Sequence, residues 1–131
     1  MIHSVEDFLL SVTRSLPAQN TNNNSSSIDL LTASPEWVSR HTNLLFNIPA
    51  TTTATGQTIT VTFQDSADNS AFAAITGLST IVLTGASNAT AALERVVVLP
   101  TYVRRYVRIN VAMSATTGDQ TAISATIKLR A

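Results

Sequence analysis

The sequence contains no cysteine, which excludes disulfide bonds and thiolate-bound metals. It has only two histidines, His3 and His41, and neither lies near a nucleophile motif or at the spacing of a metal-binding pair. Four glycines are too few to build a phosphate-binding loop. These absences remove the usual signatures of hydrolases, metalloenzymes and nucleotide-binding proteins. We therefore expect no enzymatic activity, no cofactor and no metal site.

Charge is scarce as well. Charged residues make up 12% of the chain, and the eight basic residues cancel the eight acidic ones. Without net charge, binding to nucleic acid or to a membrane surface is not expected. No signal peptide is evident, and no apolar stretch approaches the roughly 20 residues of a membrane span. The surface must be covered by neutral polar groups or by other protein chains, because interface cores are poor in charge.

The chain does contain a series of short apolar or alternating runs. The clearest covers residues 58–64, where apolar and polar side chains alternate with the two-residue period of a half-buried β-strand. Turn-forming residues separate the runs, and no helical pattern follows residue 17. Seven or eight such strands predict an all-β sandwich or barrel. The predicted strands are residues 27–31, 43–49, 58–64, 80–83, 94–99, 105–113 and 122–129.

We place a domain boundary after residue 26, with an N-terminal arm and polar linker over residues 1–26 and the β-sandwich over residues 27–131. The first 16 residues carry apolar side chains at helical spacing, and Pro17 would end such a helix. An extended arm with apolar anchors fits the same residues. The polar run at residues 19–27 has nothing to bury, so it is either a linker or an exposed edge strand.

A polar corner follows the strand at residues 58–64. Asp65, Asp68 and Asn69 have short side chains that hydrogen-bond nearby backbone, which predicts a turn. Closely spaced oxygens could also bind Ca²⁺. Their spacing is not that of an EF-hand, however, and one corner supplies fewer than the about six to eight oxygens that the ion prefers. We therefore favour the turn.

Aromatic and basic side chains alternate in the segment before residue 109. If the strand at residues 105–113 begins a few residues earlier, these side chains share one face of it. Tyr and Arg are enriched at the energetic centres of protein interfaces, and the same alternation also suits single-stranded nucleic acid. The zero net charge favours protein contact, and a solvated face with Arg shielding a sheet edge is the other interpretation. The residues are Tyr102, Arg104, Tyr106 and Arg108.

Four motifs follow one another in a recognisable order. Ser27-Ile28-Asp29-Leu30 comes after the polar arm, and the strand at residues 58–64 leads into Asp65-Ser66-Ala67-Asp68 and then Phe72. VVVLP at residues 96–100 and RYVRIN at residues 105–110 complete the series. In this order the motifs resemble the capsid cement proteins of tailed bacteriophages, of the small Bordetella phage type.

This resemblance implies a jelly-roll-like antiparallel β-sandwich of about eight strands with an extended or short-helical N-terminal arm. It further implies a structural virion protein, made in the host cytoplasm, that binds the outer surface of the assembled head and bridges major capsid protein subunits. The expected partners are the major capsid protein and further copies of the chain, as a dimer or trimer, with no nucleic acid and no membrane. The side chains expected to contact capsid or sister subunits are Phe8, Leu9, Tyr102, Arg104, Tyr106 and Arg108.

The alternative is a non-catalytic β-sandwich module of a phage tail or appendage that recognises a glycan or a receptor. Such a module would need several exposed aromatic side chains or a Ca²⁺ site. Aromatic residues make up only 5% of this chain, which weakens this alternative.

Overall fold

The structure is a computed structural model that describes residues 6–30, 43–100, 102–114 and 119–130, with the side chains of residues 6–10 and 130 left out. The described part of the chain contains ten β-strands and no α-helix, which confirms the all-β prediction. The strands are β1 (Glu6–Ser15), β2 (Asn22–Asn24), β3 (Ile28–Asp29), β4 (Asn43–Ile48), β5 (Thr58–Ser66), β6 (Ala73–Ala74), β7 (Ile81–Thr84), β8 (Leu93–Val98), β9 (Tyr106–Met113) and β10 (Ser124–Arg130).

The strands form two antiparallel sheets. Sheet A has the order β1-β10-β4-β8, and sheet B has the order β2-β9-β5-β6, with β3 also paired to β9 and β7 also paired to β5. Because β2 and β3 share one partner, and β6 and β7 share another, the strands occupy eight positions. The pairs are nested along the chain: β1 with β10, β2 and β3 with β9, β4 with β8, and β5 with β7. This nesting is a long hairpin rolled into two sheets, and it confirms the jelly-roll-like sandwich.

The core lies between the two sheets. In β9 every second side chain is buried and those between are half-buried, and β5 follows the same alternation until its last residue. Phe46 of β4 and Phe63 of β5 meet edge to face, with ring centroids 6.0 Å apart and planes at 84°, so these two rings join the sheets directly. Because the apolar side chains alternate inward, the polar ones between them decide the chemistry of the outer faces.

β1 is an edge strand of sheet A that pairs with β10. The helical alternative for the N-terminal residues is therefore wrong over residues 6–15, and the extended alternative is right. The pairing register shifts between Asp7 and Ser11. Such an irregularity interrupts the two-residue period of a strand, which explains why the apolar residues there imitate helical spacing.

β2 is an edge strand of sheet B, and it is built from three consecutive asparagines. Of the two interpretations of the polar run, the edge strand is confirmed. Both β1 and β2 precede residue 27, where the sequence places the start of the sandwich domain, and both pair with strands from the C-terminal part of the chain. The sheets thus include residues on both sides of the predicted boundary.

Candidate interaction surface

The outer face of sheet B is covered by polar side chains of β2, β5 and β9. Cross-strand register places Asn24 and Thr62 on either side of Asn110, and Gln64 opposite Arg108. Side chains that share a face across neighbouring strands lie within contact distance of one another. All but one of them are neutral. We call this set, together with Ala112 on the same face, the polar face: Asn22, Asn24, Thr60, Thr62, Gln64, Arg108, Asn110 and Ala112.

Asn110 fixes the β2 edge of the polar face. Its Nδ2 donates to Oδ1 of Asn22 at 3.1 Å and to Oδ1 of Asn24 at 2.8 Å. Three amide side chains are thereby held in one arrangement across two strands. Their unused amide groups can hydrogen-bond a partner without first losing much rotamer freedom.

Arg108 is the third residue of β9 and the only charged residue of the polar face. Its Nε donates to Oε1 of Gln64 at 2.8 Å, and its guanidinium carbon lies 3.8 Å from the ring centroid of Phe72. The side chain is half-buried, and burial lowers the pKa of its guanidinium below the ordinary value. The arginine is therefore held from two sides, by a hydrogen bond and by an aromatic ring.

Arg104 is engaged by Asp65 at the end of β5. Oδ1 of Asp65 accepts from Nε of Arg104 at 2.9 Å and from Nη2 at 2.7 Å, while its Oδ2 accepts from the backbone N–H of Arg104 at 3.0 Å. Nη2 also donates to the backbone oxygen of Asp65 at 2.8 Å. The pair fixes the segment before β9 against β5. Contact of Arg104 with a capsid or sister subunit stays a prediction.

Arg105 is engaged in the same way by Asp29 of β3. Its Nε and Nη2 donate to the two carboxylate oxygens of Asp29, each at 2.9 Å. The hydrogen bond with Asp29 raises the pKa of the Arg105 guanidinium. The guanidinium carbon also lies 4.9 Å from the ring centroid of Tyr106. Both neighbouring arginines are thus neutralised by carboxylates of this chain.

The predicted run of four alternating aromatic and basic residues does not lie on one strand face. β9 begins at Tyr106, so only Tyr106 and Arg108 share its outer face. Tyr102 and Arg104 precede the strand, and Tyr102 is 61% exposed with its hydroxyl donating to the backbone oxygen of Thr76 at 2.5 Å. The predicted early start of this strand is therefore wrong. Tyr102 and Arg104 bind Thr76 and Asp65 instead of continuing the strand.

The polar corner after β5 is a turn. Oδ1 of Asp68 accepts from Oγ of Ser66 and from the backbone N–H groups of Ser70 and Ala71, at 2.9–3.0 Å. These hydrogen bonds, led by the one from Ala71, lower the pKa of the Asp68 carboxyl. The turn interpretation is confirmed by these contacts. Asp65, the other carboxylate of the suggested cation site, is occupied by Arg104.

The structure does not describe the side chains of some residues named in the sequence analysis. Phe8 and Leu9 are in β1, and their side chains are not among those that the structure describes. His3 and His41 lie outside the described residues altogether. The capsid contacts expected of Phe8 and Leu9 stay a prediction.

The hydrogen-bond partners of Arg104, Arg105 and Arg108 were not predicted from the sequence. Arg104 bonds a residue 39 positions away, Arg108 one 44 positions away, and Arg105 one 76 positions away. No local pattern links residues at such separations. Only the register between β5 and β9, and between β3 and β9, brings them together.

The described ranges contain no helix with the length and apolar character needed to cross a bilayer. Within the same ranges, no three His, Cys, Asp or Glu side chains come together in a group that could hold a metal ion.

Comparison with known proteins decides the family. The model of the Bbp16 family matches residues 13–128, from within β1 into β10. The chain belongs to the Bbp16 family. Bbp16 is the name of a Bordetella phage protein family, and the chain is accordingly a phage protein. No curated protein matches the sequence. The resemblance to Bordetella phage proteins is thus confirmed at the level of the Bbp16 family.

Proposed function

We propose that this protein is a capsid decoration protein, which binds the outer surface of the assembled phage head and stabilises it by bridging major capsid protein subunits. The observation that carries the proposal is membership of the Bbp16 family over residues 13–128, together with the motif order that resembles capsid cement proteins. The proposal has no catalytic step and needs no cofactor.

The polar face supports this role as the contact surface. It is neutral apart from Arg108, and its amides are held in place across β2 and β9 by Asn110. Interface cores are depleted in charge, and a set of fixed amides and hydroxyls can form direct or water-bridged hydrogen bonds with another protein. With zero net formal charge on the chain, docking to the head depends on fit and hydrogen bonding rather than on long-range attraction.

The stabilising effect follows from linkage. A ligand that binds the assembled shell but not its separated subunits shifts the equilibrium toward the shell by mass action. If one copy bridges two subunits, or if copies associate as dimers or trimers, each later contact forms at a high effective concentration. Many weak contacts then make the shell hard to open at any one junction.

The test uses purified heads that lack the protein. Wild-type protein is titrated against these heads, bound protein is measured by co-sedimentation, and the temperature at which the heads open is recorded. We expect saturable binding and a higher opening temperature at saturation. Absence of binding to both unexpanded and expanded heads would overturn the proposal.

A matched pair of variants tests the assigned surface. Thr62→Arg places a long charged side chain in the polar face, and Thr13→Arg makes the same change on β1 of sheet A. We expect Thr62→Arg to weaken binding and Thr13→Arg to leave it near the wild-type value, with both proteins folded by circular dichroism. The reverse result would place the contact surface on sheet A.

A further inference from the structure

Three arginines within residues 104–108 have different partners. Arg104 is neutralised by Asp65 and Arg105 by Asp29. Among the described residues Arg108 has no carboxylate partner, and its one polar contact there is the hydrogen bond from Nε to the neutral side chain of Gln64. It is therefore the one arginine of the three whose charge no carboxylate of the described residues offsets.

The unused part of Arg108 has a fixed orientation. Nε is bound to Gln64 at 2.8 Å and the guanidinium stacks on Phe72 at 3.8 Å, whereas neither terminal nitrogen makes a hydrogen bond to the described chain. The two terminal nitrogens of a guanidinium form a planar fork whose N–H donors match the two oxygens of a carboxylate. Because the side chain is already held, little additional rotamer freedom is lost when a ligand binds to the fork.

The surroundings of Arg108 also leave its charge unbalanced. The rest of the polar face is neutral, and burial lowers the pKa of the guanidinium without an acidic group to compensate. A partly buried cation that lacks an anionic partner is unfavourable, and a carboxylate brought by another molecule would remove that cost.

We propose that Arg108 is the receptor for an Asp or Glu carboxylate of the partner protein, bound through the terminal nitrogens of its guanidinium at the end of the polar face that lies beside Phe72. This inference rests on the proposed function, since it names the chemistry of the partner at the same surface. A nucleic-acid phosphate is the less suitable occupant. Nucleic acid requires several unpaired cations along a backbone, and Arg104 and Arg105 are already neutralised.

The inference is tested by measuring how tightly variants at Arg108, and matched variants at Arg95, bind to heads. Arg108→Gln and Arg108→Lys are compared with Arg95→Gln and Arg95→Lys, in which an exposed arginine of β8 in sheet A is changed in the same way. Loss of a charge-assisted bidentate contact is expected to weaken binding roughly 10- to 100-fold for Arg108→Gln. Arg108→Lys keeps the charge without the fork and should fall between this variant and wild type. Both Arg95 variants should bind within about twofold of wild type.

Cross-linking identifies the carboxylate itself. A carbodiimide activates a carboxylate and leaves as its urea when a nearby amine forms the amide, so it joins only groups in direct contact. With Arg108→Lys bound to heads, we expect mass spectrometry to show an amide between position 108 and an Asp or Glu of a head protein. The same treatment of Arg95→Lys should give no such product at position 95.

The outcomes separate the two proposals. Wild-type protein that does not bind heads overturns both. Wild-type binding with Arg108→Gln no weaker than Arg95→Gln, and without a cross-link at position 108, overturns the carboxylate receptor and leaves the decoration role standing. Thermal unfolding of every variant is measured alongside, and Arg108→Lys, which retains a long cationic side chain, provides the test if Arg108→Gln proves unstable.

Discussion

Asp65 and Arg104 give a sharp prediction about what holds the segment before β9 in place. The carboxylate side chain of Asp65 is only 8% exposed, whereas that of Arg104 is 42% exposed. If the arginine side chain is removed, the carboxylate is left nearly buried with the backbone N–H of Arg104 as its remaining donor from that residue. If the carboxylate is neutralised, the half-exposed guanidinium can regain water. Removal of the arginine should therefore cost more stability than neutralisation of the carboxylate.

These exposures set the magnitudes. Arg104→Met should cost about 2–3 kcal/mol of unfolding free energy, since it removes charge-assisted hydrogen bonds and leaves the buried Asp65 carboxylate without its cation. Asp65→Asn alone should cost about 1–2 kcal/mol, because the amide oxygen still accepts and the arginine is partly solvated. In the Arg104→Met background, however, Asp65→Asn should be neutral or stabilising, since it removes the unpaired negative charge. The coupling free energy of this double-mutant cycle is then about 2 kcal/mol.

Urea unfolding at neutral pH, followed by circular dichroism, measures all four proteins of the cycle. The pair Arg105–Asp29 supplies the control, because it is also bidentate but its side chains are 44% and 24% exposed. Its cycle, Arg105→Met with Asp29→Asn, should give a clearly smaller coupling than the Asp65–Arg104 cycle, because solvent screens the exposed pair. Equal couplings at the two sites, or an Asp65→Asn cost that does not depend on Arg104, would refute the reasoning from burial.

Two further predictions concern backbone packing and acid stability. Gly85→Ala should cost about 2–3 kcal/mol in a urea titration, because the new Cβ would lie 2.2 Å from the backbone oxygen of Ala54. Gly56→Ala, which has open space but a φ of +83°, should cost only about 1 kcal/mol, and the opposite order would contradict this. The lowered pKa of Asp68 implies stabilisation that is present above its ordinary pKa of 3.8 and lost as the pH falls through the lowered value. The stability advantage of wild type over Asp68→Asn should shrink over that acidic range, and a constant difference between roughly pH 2 and 6 would rule this out.

The central strands of sheet B, β5 and β9, were predictable from the sequence. In β5 and β9 the alternation of apolar and polar residues is regular, because each is a central strand with one face on the core and one on solvent. β1 was harder to predict, since its register shift breaks the alternation and its apolar residues fit helical spacing equally well. β2 has no apolar residue at all, and only its pairing with β9 makes it a strand. Edge strands with little to bury carry little sequence signal.

The pairing of strands was not predictable from local pattern in the same way. Jelly-roll nesting joins β1 to β10 and β2 to β9, so the contacts that define the fold connect opposite ends of the chain. The local pattern of apolar and polar residues predicts most of the strands, whereas long-range register decides which side chains meet. The sequence motifs indicated a jelly-roll-like sandwich only through their resemblance to capsid cement proteins.

The arginines show why this matters for function. Arg104, Arg105 and Arg108 are the same residue type within five positions, yet register gives each a different electrostatic environment. Hydrogen bonding to Asp29 raises the pKa of Arg105, and burial without an acid lowers that of Arg108. A neutral face with one unmatched, oriented cation gains specificity from that cation, because a partner surface without a carboxylate opposite it would leave the charge buried and unpaired. Under the proposed decoration role, a carboxylate opposite Arg108 would therefore favour one docking site over other surfaces of the head.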